Sequence, residues 1–510
     1  MSLLRGVSPL PQQHRPWTPA LARAAWLAAV VAWPALATEP ATPPPTTPPP
    51  AATAPASRVE LQARFRQAFN DQHYDEAASL AQAYVALTEK EVGTQSEDLQ
   101  IALMNLATAQ YLSGDYTGAE TSYLRAIELA EASAKPRMER LARANAGLAA
   151  TYYAGKRYDL AVARFDKAIA YSRRSEGLLS EAQLPLLDKF ANALTELGRY
   201  EQALQVQQYT LRIAQRKYGE SDPRIVPTLE KIGRWYANVR AYDQSQAVLR
   251  HAIGLIEKSE GENSPSLVSP LMALADCMRR QLLDPAELAR ATADAGPGVF
   301  YQDPNQPPPF SPTAAISIGQ KSLDRAVAIA TTQPNPSPAQ IADVRTQYGD
   351  WFQTRAQSDK AIAQYVEAWQ AGMKVPYRGR TVAEALFEKP VLINYTRPNG
   401  WDRYSNRPAG EVLLKAVLLE CTVGADGHAK DIKVIDDSGD ARRSELAQKA
   451  LATASYRPRF ANGQPVDTPR VSFTQVFQVL AEKEEAPAPA APKSDAPPAP
   501  ASAPAAQKSS

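Results

Sequence analysis

From about residue 58 to residue 290 the apolar side chains recur three and four positions apart, the mark of amphipathic helices, and the pattern itself repeats every 42 residues. Tyr74, Tyr116, Tyr158, Tyr200 and Tyr242 carry that period without a gap. Three residues after them come Ala77, Ala119, Ala161, Ala203 and then Ser245. Ten residues before four of them stand Leu106, Leu148, Phe190 and Ile232; nine before stand Phe65, Ala107, Ala149, Ala191 and Gly233. Turn residues precede the tyrosine, as in Gly114-Asp115-Tyr116 and Gly198-Arg199-Tyr200. Leu103, Leu106 and Gln110 share one helical face, and Ala119, Tyr123 and Ala126 share another. The spacing predicts two antiparallel helices per repeat, small residues where they cross, and a buried tyrosine closing each pair. Each hairpin leaves an apolar face that a neighbour must cover, so the hairpins are expected to stack.

A sixth repeat keeps Leu271, Leu274 and Ala275, but Asp284 takes the tyrosine position. Proline-rich sequence follows to Pro312; helical patterning returns over 314–330 and 338–372, where Tyr348, Gly349, Phe352, Ala361, Tyr365 and Ala368 restore the repeat spacing. Arg64, at a normally apolar position of the first repeat, suits a terminal cap.

At Gly410 the period falls from 3.6 to 2. Residues 412–423 predict a strand, Gly424-Ala425-Asp426-Gly427 a turn, and 429–435 a second strand. Residues 441–454 predict a helix with Leu446, Ala450 and Leu451 on one face. Val471, Phe473, Phe477 and Val479 alternate along a last strand. The expected order is strand, strand, helix, strand: a small α+β unit.

The 42-residue pattern resembles the tetratricopeptide repeat in its longer form, like that of kinesin light chains. The resemblance implies an α-solenoid that binds peptides or partner domains in a concave groove lined by each repeat's first helix. The groove positions map to Arg66, Phe69, Thr108, Tyr111, Tyr153, Asn192, Glu230 and Arg234. Aromatics interleaved with Arg and Asn suit an extended peptide; each of these side chains also has an ordinary packing or solvated reading.

Gly410-Glu411-Val412, Asp426-Gly427, Ser438-Gly439, Ala450-Leu451, Tyr456-Arg457-Pro458 and Gly463-Gln464-Pro465-Val466 follow one another as in the C-terminal domain of TonB-family proteins, which this segment resembles. Each is also ordinary turn and core chemistry. The resemblance implies capture of a short peptide of an outer-membrane transporter by strand addition. The expected edge is the last strand, through Val471, Phe473, Gln475, Phe477 and Val479. Tyr404-Ser405 stands where the family often has Tyr-Pro, and the N-terminal apolar stretch carries no histidine.

Arg15 and Arg23 precede an apolar run from Ala24 to Leu36, and Ala35-Leu36-Ala37 fits a signal-peptidase site. The run is short for a spanning helix, which needs about 20 residues. The reading is a signal peptide over 1–37 and an exported chain from Thr38, with an uncleaved inner-membrane anchor as the alternative. Residues 38–57 form a Pro/Ala/Thr-rich linker and 481–510 an Ala/Pro-rich tail, expected to be disordered. Between them lie repeats at 58–294, a Pro-rich insertion at 295–312, further repeat-like helices at 313–374, a connector at 375–409 and the TonB-like domain at 410–480.

Charge and chemistry narrow the function. The net charge is +2; without the first 37 residues, 53 basic residues face 54 acidic ones in mixed order, which argues against nucleic acid. His73, His251 and His428 lie in different repeats or domains, none with a metal-ligand partner at helical spacing. No phosphate loop, nucleophile elbow or zincin motif is present. Cys277 and Cys421 sit among apolar neighbours and read as buried free thiols, with a disulfide as the alternative. The sequence therefore predicts a periplasmic protein-binding adaptor without enzymatic activity, cofactor, metal or small-molecule substrate. The alternative is a TonB-type energy transducer anchored in the inner membrane and acting on an outer-membrane transporter.

Overall fold

The computed structural model describes residues 57–293, 310–377, 379–398, 412–437 and 440–480. The signal-peptide and linker expectations, the tail, most of the Pro-rich insertion, and Gly410-Glu411 and Ser438-Gly439 lie outside the described residues. Two compact units meet in sequence between Val344 and Arg345.

In the first unit the helices come in hairpin pairs: α1 (Arg58–Asn70) with α2 (Tyr74–Val92), α3 (Glu97–Ser113) with α4 (Tyr116–Ala132), α5 (Met138–Ala154) with α6 (Tyr158–Glu176), α7 (Leu184–Glu196) with α8 (Tyr200–Tyr218), and α9 (Val226–Asn238) with α10 (Tyr242–Glu260). Each repeated tyrosine is the first residue of its pair's second helix. Tyr158 and Tyr242 are buried, whereas Tyr74, Tyr116 and Tyr200 are half-buried, so the expectation of five buried rings is corrected. The tyrosine sits at the hairpin end, where one side of the ring reaches solvent. Wholly buried rings stand seven residues further on, at Tyr123 and Phe165.

The register has a backbone cause. Two residues before each tyrosine the chain turns through positive φ, at Gln72, Gly114, Lys156, Gly198 and Arg240 (62°, 96°, 60°, 70° and 62°). That single left-handed residue stops the first helix and starts the second. Second helices end on Gly93, Gly177, Gly219 and Gly261, all at φ of 93–95° or 96°. Between the helices, Ala77, Ala119, Ala161, Ala203 and Ser245 are completely buried, which permits close backbone approach. At Gly147 the approach is closer still: a Cβ there would lie 2.3 Å from the Tyr123 ring.

Neighbouring pairs are tied by polar side chains as well as by apolar contact. Trp235 Nε1 donates to Thr195 Oγ1 at 2.8 Å, and Arg140 donates to Gln100 Oε1 at 3.2 Å. The sixth repeat supplies α11 (Val268–Leu282) and a short α12 (Pro285–Ala293); α13 (Pro312–Thr332) packs on α11, and its Arg325 pairs with Glu257 at 2.5 Å.

The second unit begins within α14 (Pro338–Thr354) and continues with α15 (Ser358–Gly372), the two-residue strands β1 (Pro376–Tyr377) and β2 (Arg380–Thr381), α16 (Val382–Phe387) and β3 (Val391–Asn394). Then come β4 (Val412–Val423), β5 (Ala429–Asp436), α17 (Ala441–Ala452), β6 (Ser455–Arg457), β7 (Arg459–Ala461), β8 (Gln464–Val466) and β9 (Thr468–Leu480). The main sheet has the order β5-β4-β9, all antiparallel, with α17 packed on β5 and β4. Its core contains Val417, Leu419, Cys421, Val423, Leu451, Tyr456 and Phe477. β3 pairs with β6, and β7 with β8. The expected order of strand, strand, helix, strand therefore omits β3 and β6–β8, and residues expected as connector hold β1, β2, α16 and β3. These strands are two to four residues long and the helix six, too short to show a period. Cys277 and Cys421 are buried and free.

Candidate functional site

The first helices differ in exposure: α3 and α5 are buried along most of their length, whereas α7 and α9 keep a row of polar side chains that reaches solvent. On α7 the half-buried positions Asp188, Lys189 and Asn192 follow helical spacing; on α9 Glu230, Lys231 and Arg234 occupy the same places 42 residues later. The repeat thus sets polar groups side by side on successive helices. Glu230 accepts from Arg234 at 2.8 Å and from Ser269 of α11 at 2.6 Å, so it is neutralised and held across two helices. Lys231 and Arg234 are exposed.

The eight groove positions do not form one class. Arg66 is exposed on α1, Asn192 half-buried on α7. Thr108 is buried; its hydroxyl bonds the Met104 carbonyl and lies 2.9 Å from Tyr123 Oη, so it braces α3 against α4 and lines no surface. Burial pushes the Tyr123 hydroxyl well above its ordinary range, and the Thr108 hydrogen bond works against that rise. Phe69, Tyr111 and Tyr153 stand 42 apart and each packs on the tyrosine that opens the next helix, with ring centroids 5.7, 5.9 and 5.4 Å from Tyr74, Tyr116 and Tyr158. They cement the hairpin turns with one half-exposed side.

In the second unit β9 pairs with β4 along its length, from Val471 opposite Cys421 to Leu480 opposite Val412. Among the described residues no strand pairs with its other flank. Gln475 and Phe477 are buried, and Val471, Phe473 and Val479 are half-buried towards the helix side. Tyr395 fixes this row: its ring lies 4.7 Å from Phe473 and its hydroxyl donates to Gln475 Oε1 at 2.6 Å. The five edge residues thus offer a partner their backbone rather than their side chains. Ser472 and Thr474 point the other way and are exposed.

Sequence reading missed a buried ion pair in this unit. Arg457, in Tyr456-Arg457-Pro458, reaches Asp350 of α14 through Nε at 3.0 Å and a terminal nitrogen at 2.7 Å. Asp350 also accepts from Tyr365 Oη at 2.8 Å. Nothing in the spacing relates residues 107 apart. The glycine register Gly177, Gly219, Gly261 was visible in the sequence and would have located the inter-repeat turns.

Residues 98–174 and 186–224 match family models of the tetratricopeptide repeat. These hairpins are tetratricopeptide repeats. Residues 416–478 match the model of the Gram-negative bacterial TonB protein C-terminal. Among solved structures, the chain is similar to the Podosopora anserina putative kinesin light chain with nearly identical TPR-like repeats: 17% identity, TM-score 0.36, over 40% of this chain and 97% of that one. BtubC (BKLC) from P. vanneervenii matches at 18% identity and TM-score 0.36, over 54% of this chain and 94% of that one. The apo form of RapI matches at 13% identity and TM-score 0.36, over 62% and 97%. No curated protein matches. Tetratricopeptide repeats and TonB C-terminal modules together point to protein–protein interaction. Among the described residues no helix is long and apolar enough to cross a membrane, and no group of three or more His, Cys, Asp or Glu could hold a metal ion.

Proposed function

We propose that this chain is an exported periplasmic adaptor that holds partner polypeptides on its repeat surface and by strand addition at β9, without chemistry of its own. The observation that carries the reading is the register of Asp188-Lys189-Asn192 with Glu230-Lys231-Arg234 on α7 and α9. Polar donors and acceptors repeated at one helical height bind an extended backbone along successive repeats. Arg66 stands at the same register on α1 but is separated from this surface by Thr108 and Ala150, which are buried; Phe69, Tyr111 and Tyr153 are half-buried at the turns of those earlier pairs. The flank of β9 that no strand pairs among the described residues supports a second mode, in which a partner strand bonds the backbone of Val471 to Val479. An outer-membrane transporter or another envelope component is the partner class that the TonB-type module favours.

The test is co-purification from periplasmic extract followed by mass spectrometry, comparing wild type with Asn192→Ala/Arg234→Ala. Loss of a partner at an unchanged melting temperature supports the repeat surface; retention of every partner rejects it. Photo-crosslinkers at Ser472 and Thr474 are expected to capture a β9 partner. The N-terminus of the recovered protein tests export: a start near Thr38 is expected, and an intact membrane-bound N-terminus returns the reading to an anchored transducer.

A further inference from the structure

We infer that the TonB-like domain is also the structural cap of the last repeat hairpin, so that α15 and the strands β6–β9 open and close as one cooperative body. A stacked repeat array needs something at its end to cover the apolar face of the final pair. Helices α14 and α15 have the repeat register, with Gly349 set so closely that a Cβ would fall 2.2 Å from the Tyr365 ring. What lies over α15 is not a further helix pair. Trp369 of α15 stacks on Phe460 of β7 at 5.7 Å with an interplanar angle of 20°, and Phe387 of α16 fills the space beside both, 4.7 Å from Phe460.

The polar contacts are as specific as the apolar ones. The Arg457–Asp350 pair joins β6 to α14, and the same guanidinium lies over the Tyr365 and Phe387 rings at 6.0 and 5.8 Å. Gln353 Nε2 donates to the Asp426 carbonyl at 2.8 Å, and a Cβ on Gly427, at φ +83°, would meet that amide at 2.1 Å. Three of the motifs on which the TonB resemblance rests therefore face the hairpin: Asp426-Gly427, the Arg457 motif, and Gly463, whose Cβ position lies 3.3 Å from Trp369 Nε1. Glycine at 427 serves close approach to the hairpin as well as the turn. A domain hung on a flexible spacer would have no use for a buried arginine at 457, because an unpaired buried charge is strongly unfavourable. The ion pair gives that side chain its reason.

Native-state hydrogen exchange of the full chain against denaturant tests this. Amides of α15 and of β6–β9 are expected to share one opening midpoint. Arg457→Met is expected to lower both midpoints by the same amount. Asp350→Leu/Arg457→Met, which removes the second charge, is expected to recover most of the loss in both. If α15 opens at a separate midpoint in the wild type, or if Arg457→Met shifts the strands and leaves α15 in place, the capping role is refuted. The wild-type measurement decides the matter even where a variant fails to fold.

Discussion

Tyr242 donates its hydroxyl at 3.0 Å to Asp284, the residue one full repeat further along the chain. Where a sixth tyrosine would stand, the carboxylate instead receives the fifth. Asp284 also accepts from the Ala286 N–H, which caps α12, and lies 3.5 Å from Arg240. The loss of the repeat residue is thus a local exchange of a ring for a buried, satisfied acid.

Tyr242→Phe is expected to lower stability by about 1.5–3 kcal/mol, the worth of a hydrogen bond to a charged acceptor. The same variant tests alkaline behaviour. Burial, and then the charge of Asp284, raise the Tyr242 pKa above its ordinary 10. A raised folded-state pKa makes the contribution complete below pH 10 and lost as pH climbs above it. Chemical denaturation from pH 9 to 11 should show a fall that Tyr242→Phe reduces; an unchanged slope contradicts the assignment.

Acid acts on a different group. Burial alone would raise the Asp276 pKa, but Arg280 and Arg279, bonded at 2.6 and 2.7 Å, bring it well below 3.8. A lowered folded-state pKa contributes stability above the unfolded value and loses it as pH falls through the folded one. Asp276→Asn is expected to be less stable at pH 7 and to flatten the loss below pH 4, read from melting temperatures.

Gly147→Ala is expected to cost about 1–3 kcal/mol by overpacking against Tyr123, and Tyr123→Leu in the same chain should restore part of it. Calorimetry that finds Gly147→Ala neutral would show that the helices are not crossed as closely as described.

Lys156 occupies the left-handed turn position at φ 60° where two other repeats have glycine. Lys156→Gly is expected to stabilise, or at most to be neutral, because the strain of a side chain there, about 1 kcal/mol, offsets the added freedom of the unfolded chain. The equivalent change at Tyr153, one helical turn earlier, should instead destabilise. A melting temperature that falls for both would remove the special status of residue 156.

Much of the helical architecture was legible because one period repeats five times. Tyr74 through Tyr242 mark helix starts to the residue, since the left-handed turn two positions earlier leaves no freedom of register. Burial was less legible. A first-helix position that is exposed at Arg234 is enclosed at Thr108, which the Tyr123 hydroxyl approaches to 2.9 Å; Leu249 stands at the place of that ring three repeats later. In the second unit β4, β5, α17 and β9 were readable from alternation and length, while β6–β8 were not. The Asp350–Arg457 contact joins two stretches whose local patterns are independent, and only the folded chain brings them together.

The spans of these contacts order the assembly in time. Bonds between neighbouring pairs, such as Trp235 with Thr195, close about one repeat of chain at 40 residues, whereas Arg457 must find Asp350 across 107. Loop closure grows costlier with length, so helical pairs can form wherever two of them meet while the C-terminal body waits for its far strands. During synthesis the repeats would emerge and settle first, and the chain would gain its last tertiary contacts only once residue 480 was free.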